Sequence, residues 1–177
     1  MQSVIKITLP ARKEELAALR PGDEVQLFGT IFTLRDVGHQ RCLAHLQNEG
    51  ALPYGLAGQA LYYAGPTPPR AARPFGALGP TTASRMDAAT PQLLEAGINL
   101  TLGKGRRARE VAQACALTGS VYLVAVGGAG AYLGGFVTNS EIVAWDDLGP
   151  EALHRLTLNG LPAYVGIDSN GTTVWDD

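Results

Sequence analysis

Cysteine is scarce in this chain: Cys42 and Cys115 are the only two, far apart in sequence. Two thiols cannot build a four-cysteine zinc or iron–sulfur site, and no C-x-x-C spacing is present. Each reads as a small buried hydrophobe on a helix. Excess charge of either sign is also missing. Fourteen Lys and Arg against sixteen Asp and Glu give a formal net charge of −2, which offers no basic face for a nucleic acid. No apolar run approaches ~20 residues, so no segment is expected to span a membrane. The opening Met1-Gln2-Ser3-Val4-Ile5-Lys6 lacks the charged-then-apolar layout of a signal peptide, and a cytoplasmic location is the default expectation. The glycine run Gly127-Gly128-Ala129-Gly130 is neither a dinucleotide fingerprint nor a P-loop.

What is present is a globular composition rich in turn formers. Apolar residues make up 46% of 177 residues, with 22 glycines and 11 prolines. That length suits one domain over 1–177 with a proper core. Alternation over Val4–Leu9 predicts an edge strand, and Glu24–Thr33 a second strand with a bulge or close contact at Gly29. Helical patterns follow at Arg12–Leu19, Asp36–Gln47, Met86–Gly97 and Arg109–Thr118. In the Asp36 helix, Val37, Cys42, Leu43 and Leu46 are available to the core. In the Arg109 helix, Val111, Ala112, Ala114 and Cys115 should face inward. Gln59–Ala64, Leu100–Gly105, Ser120–Val126, Asn139–Asp147 and Thr157–Ile167 read as strands. Gly127–Ala131 reads as a small-residue helix start, and Gly149-Pro150-Glu151-Ala152-Leu153 as another, with Pro150 and Glu151 in the first turn. The Pro-rich stretch Thr67–Pro74 reads as an ordered crossover, and a last strand should end at Trp175. Strands and helices sharing one core make a single α/β domain.

The densest chemistry lies in Gly79-Pro80-Thr81-Thr82-Ala83-Ser84-Arg85-Met86-Asp87. Gly-Pro shapes the loop, the hydroxyls can donate or accept, and Arg85 offers a planar fork that matches a carboxylate. The same residues also read as a Thr-capped helix start with Asp87 complementing the dipole. Other strand-to-loop transitions carry Arg35-Asp36 and Gly103-Lys104-Gly105. Arg35, Arg85 and Lys104 together would supply three cations to one pocket, which suits a dicarboxylate, since such a cluster is costly without an anionic partner. Taken singly, Arg35 also reads as a surface ion pair, Lys104 as a turn lysine, and His39 as a hydrogen-bonded structural histidine.

In order, Arg35-Asp36-Val37-Gly38-His39-Gln40-Arg41, Tyr62-Tyr63-Ala64-Gly65-Pro66-Thr67-Pro68, the Gly79–Asp87 run, Gly103-Lys104-Gly105, Gly127–Gly130 and Asp147-Leu148-Gly149-Pro150-Glu151-Ala152 cover almost the whole chain. Together they resemble the C-terminal domain of class I (iron–sulfur) fumarases, which is also the β subunit of two-subunit fumarases and L(+)-tartrate dehydratases. The Gly-Pro-Thr-Thr-x-x-Arg-Met-Asp motif is the specific one. The resemblance implies a swivelling β/β/α domain with a mixed sheet and flanking helices. It implies a hydro-lyase subunit that adds or removes water on a dicarboxylate, fumarate/malate first and tartrate next. By the same resemblance a [4Fe–4S] cluster is held by a partner α subunit and not by this chain, in a homodimeric or α2β2 assembly. Thr81 would be the base, Arg35 and Arg85 the carboxylate clamps, with Lys104 and His39 in the same pocket. The other reading of that fold is a non-catalytic binding or assembly subunit. One departure stands out: Arg106 and Arg107 follow Lys104-Gly105 where many relatives carry Asn or Met and then Ser, so Arg106 is a candidate to alter substrate choice.

Overall fold

A computed structural model describes residues 4–68 and 76–175. Pro69, Arg70 and Pro74 of the expected crossover lie outside these residues, as do Met1 to Ser3. Nine strands and five α-helices lie along the described residues. The strands are β1 Ile5–Leu9, β2 Glu24–Thr33, β3 Ala60–Tyr62, β4 Ala64–Pro66, β5 Leu78–Pro80, β6 Leu100–Gly103, β7 Val121–Val124, β8 Val137–Ala144 and β9 Leu153–Ile167. The helices are α1 Lys13–Ala17, α2 Asp36–Glu49, α3 Thr90–Glu95, α4 Arg109–Thr118 and α5 Gly130–Gly134.

Seven strands form one mixed sheet in the order β1-β2-β3-β6-β7-β9-β8, and β4 and β5 make a separate hairpin. β1, β2, β3, β6 and β7 run parallel to their neighbours, while β9 is antiparallel to β7, β8 and β2. Since β9 pairs with both β2 and β7, the pairings close into a ring, β2-β3-β6-β7-β9. The period of two along a strand then sends side chains to two cores. Tyr62, Leu102 and Leu123 join the cluster containing Ile7, Leu16, Leu133 and Val165. Leu61 and Tyr122 join the cluster beneath α2, α3 and α4, with Cys42, Leu93, Val111 and Cys115. The mixed sheet with flanking helices is the α/β class that the sequence implies.

Gly29 has φ +85°, and a Cβ there would lie 2.3 Å from the Leu9 carbonyl oxygen. The β2–β9 register shifts beside it, between Leu27 and Phe28. The close contact read from the sequence is thus a real one. Several expected elements differ. The expected Met86–Gly97 helix is shortened to α3, Thr90–Glu95, and a 3₁₀ turn, Ala83–Met86, precedes it. No helix starts at Pro150: Asp146–Glu151 is a 3₁₀ segment broken at Gly149 (φ +55°, ψ −119°), and Leu153 already opens β9. The last strand reduces to one isolated bridge, Ile167 to Thr173. In α2 the buried face is Gly38, His39 and Cys42, and Val37 points to solvent because it lies off that stripe. No described helix is long and apolar enough to cross a membrane.

Candidate active site

Parallel strands deliver their following loops to one end of the sheet, where ligands of α/β folds commonly bind. Arg35 follows β2, Tyr63 follows β3, Lys104 follows β6 and the Gly127–Gly130 turn follows β7. Thr81 reaches the same end from the β4–β5 hairpin. Its N–H donates to the Tyr63 carbonyl at 2.6 Å, and its own carbonyl accepts the Lys104 N–H at 3.1 Å. The Ala83 N–H then donates to the Lys104 carbonyl at 2.9 Å, so Thr81–Thr82 is wedged between the ends of β3 and β6. Gly103 makes room for this wedge: a Cβ there would lie 2.8 Å from the Ala83 methyl. Thr81 is only 8% exposed.

The helix-start reading of this segment does not hold in its details. Thr82 is the residue before the 3₁₀ turn, and its side chain makes no capping bond. Asp87 serves another helix: its Oδ2 accepts the Ala108 N–H at the start of α4 at 2.6 Å.

Arg35 stands in extended conformation (φ −147°, ψ −178°) just before α2. Its Nη1 points at Thr81 Oγ1 at 3.4 Å, long for a hydrogen bond but close for a cation beside a hydroxyl. Its Nε donates to Glu151 Oε1 at 3.2 Å. Asp36 Oδ2 lies 3.7 Å from the same Nε as an ion pair without hydrogen-bond geometry. Asp36 Oδ1 also pairs with Arg85 Nη2 at 2.8 Å, so one carboxylate links the two arginines. Arg85 remains 56% exposed. The cations are therefore partly balanced by Asp36 and Glu151, which sequence reasoning did not place here. The Lys104 backbone flanks Thr81, and its side chain passes over Gly127, where a Cβ would lie 2.7 Å from Cδ.

His39 lies one turn into α2 and is 2% exposed. Its ring meets Tyr63 edge-on with centroids 5.7 Å apart, and its Nε2 finds no hydrogen-bond partner among the described residues. Burial, with help from the nearby Arg107 charge, lowers its pKa to about 4, so the ring is neutral. It touches the wall behind the site through Tyr63. Arg106 turns elsewhere: its guanidinium lies 5.9 Å above the Trp175 ring. With Arg107, Arg109 and Trp175 it lines a separate cavity of about 390 Å³ that none of Thr81, Arg35, Arg85 or Lys104 borders.

Neither cysteine fits a cluster or a reactive thiol. Both are buried on helices, as expected, and burial pushes each thiol up to about 12. Among the described residues no three His, Cys, Asp or Glu side chains are grouped to hold a metal ion. The described residues therefore offer no ligand set for an iron–sulfur cluster.

Fold and site together define an α/β domain with a nearly buried hydroxyl beside two guanidinium groups linked through Asp36 at the strand ends. The chain belongs to the Fumarase C-terminus family, whose model matches residues 1–177. It is 35% identical over 164 residues to the aerobic class I fumarate hydratase of Escherichia coli K12, covering 90% of this chain and 30% of that protein. It is 32% identical over 170 residues to the mitochondrial fumarate hydratase 1 of Leishmania major, covering 95% of this chain and 31% of that enzyme. A protein of Methanocaldococcus jannaschii assigned as an L(+)-tartrate dehydratase subunit beta is 32% identical over 171 residues, covering 93% of this chain and 88% of its own length. The chain thus spans about 30% of the fumarate hydratases it matches but most of the subunit-sized relative.

Proposed function

We propose that this chain is the small, β-type subunit of a hydro-lyase that reversibly adds water to a dicarboxylate, fumarate/malate first and tartrate next. The reading assigns a [4Fe–4S] cluster to a partner α subunit, in a cytoplasmic complex. The observation that carries it is Arg35 Nη1 set 3.4 Å from the nearly buried Thr81 Oγ1. A threonine hydroxyl is a poor acid–base group unless a cation favours its deprotonated form. Arg35 supplies that cation at the oxygen itself.

In the hydration direction Thr81 Oγ1–H gives its proton to the carbon next to a substrate carboxylate while hydroxide adds to the neighbouring carbon. The alkoxide left on Thr81 is stabilised by Arg35; the Thr81 oxygen then takes a proton from water, which replaces the hydroxide consumed. In dehydration the same oxygen removes that proton, and the C–H electron pair forms the double bond as the hydroxyl leaves. The exposed fork of Arg85 takes one substrate carboxylate bidentately, and Lys104 adds a point charge beside it. Names of relatives support the substrate class: fumarate in several, L(+)-tartrate in one.

The test is anaerobic co-expression with the polypeptide corresponding to the remainder of the full-length relatives, followed by a screen of dicarboxylates. Hydration of fumarate is the expected result. Arg85→Lys should raise KM at least about tenfold, because a point charge does not replace a fork. A complex that binds dicarboxylates but turns none over would favour the non-catalytic subunit.

A further inference from the structure

We propose that Glu151 is a positioning residue: its carboxylate holds the Arg35 guanidinium against Thr81 while capping helix α2. The inference rests on the roles given above to Thr81 and Arg35. An arginine side chain carries about 2 kcal/mol of rotamer entropy, so a fork near a surface needs an anchor to keep one orientation. Glu151 Oε1 takes Arg35 Nε at 3.2 Å, on the stem side of the guanidinium plane. That bond fixes the plane and leaves the terminal nitrogens outward, with Nη1 on Thr81 Oγ1. No partner for Nη2 is found among the described residues, so this nitrogen is left for a substrate carboxylate.

The other carboxylate oxygen is also engaged. Oε2 accepts the Val37 N–H at 3.1 Å, an orphan donor in the first turn of α2. That helix has no side-chain cap of its own, and its N-terminus favours a nearby carboxylate. Held at both oxygens, Glu151 cannot swing away from Arg35. Its backbone is equally confined. A Cβ on Gly38 would lie 2.8 Å from the Glu151 carbonyl oxygen, and one on Gly65 would lie 3.3 Å from that of Pro150. Two bare glycines therefore seat the Pro150–Glu151 segment between α2 and β4. A carboxylate serving only as a cap would need one oxygen; the second oxygen on Nε is what a capping role leaves unexplained.

The test is a double-mutant cycle in the assembled enzyme with an independent readout on the free chain. Glu151→Gln should lower kcat at least about tenfold and raise KM as well, since Nη2 also loses its place at the substrate carboxylate. In an Arg35→Met background the same substitution should lower kcat by less than twofold, since Glu151 acts through Arg35. An equal loss in both backgrounds overturns the proposal and leaves a structural cap. On the free chain, the Arg35 Nε–H resonance is identified by its absence in Arg35→Met. Glu151→Gln should shift it and hasten its exchange with water; an unmoved resonance overturns the proposal whatever the enzyme does. An assembled enzyme without hydro-lyase activity would refute the function above, and the resonance alone would then decide the role of Glu151. Should Glu151→Gln fail to fold, Glu151→Asp, which keeps the charge but not the reach to both partners, carries the same expectations.

Discussion

Arg107 Nε donates to Asp87 Oδ1 at 2.5 Å, and the Arg107 side chain is wholly buried. The guanidinium lies between two rings, 5.2 Å from the Tyr63 centroid and 4.8 Å from that of Tyr122, and Nη2 reaches Thr90 Oγ1 at 2.7 Å. Asp87 closes the Gly79–Asp87 motif as a strut that ties the Thr81 loop to the start of α4. Arg107, three residues past Lys104, holds that turn from beneath.

Removing the strut's charge should therefore unsettle the fold before the chemistry. Asp87→Asn leaves a buried cation unpaired, which costs roughly 3–5 kcal/mol. For a domain of this size that is a fall in Tm of roughly 10 °C or more. Thermal melts of the purified chain check it; a shift under about 2 °C would contradict the buried pair.

His39 predicts the direction of pH dependence. Its ordinary pKa is 6.5 and its folded value about 4, because burial and then Arg107 disfavour the charged ring. Between these values the unfolded chain binds a proton that the folded chain does not, so stability rises with pH there. The contribution is complete above pH 6.5 and is lost as pH falls toward 4, at most about 3 kcal/mol. His154, lowered by partial burial, adds to the same window. Glu15 and Asp147 are held below their ordinary carboxylate values by Arg12 and Arg41, so they act at lower pH. Urea melts of His39→Phe should show a flatter slope between pH 6.5 and 5 than the parent chain.

Two glycine substitutions should separate fold from site. A Cβ at Gly65 would lie 2.9 Å from Arg35 Nη1, the far end of a flexible side chain, and 3.3 Å from the Pro150 carbonyl oxygen, which must give by only a few tenths of an ångström. Gly65→Ala should fold with a Tm within a few degrees of the parent, yet push the guanidinium from Thr81 and lower kcat about tenfold. Gly29→Ala meets the Leu9 backbone oxygen at 2.3 Å with φ +85°, and neither can yield cheaply. It should lower Tm sharply or prevent folding, read by the same melts.

The sequence signals that matched the structure were local ones. Glu24–Thr33 and Arg109–Thr118 carry clear periods and keep their expected bounds. Arg35 and Lys104 were legible because each sits where a parallel strand gives way to a loop, so those loops reach one end of the sheet, whereas Arg85 follows the separate antiparallel β4–β5 pair. Glu151 was not legible in that way. It meets Arg35 from 116 residues away, through the return of β9 along β2. The Pro150 signal suggested a helix, but the positive φ of Gly149 and the pairing of β9 from Leu153 with β8 overrode it. Arg106 reads from the sequence as a candidate to alter substrate choice, yet its guanidinium lies over the Trp175 ring and away from Thr81.

The most direct test of the account is kcat of Thr81→Val in the assembled enzyme, with fumarate as substrate. Valine keeps the shape and removes the hydroxyl that Arg35 faces. The account expects kcat to fall by about two orders of magnitude or more, the scale of lost acid–base catalysis, with a smaller change in KM. Turnover within a few-fold of the parent would contradict it and move the proton transfer to the partner polypeptide.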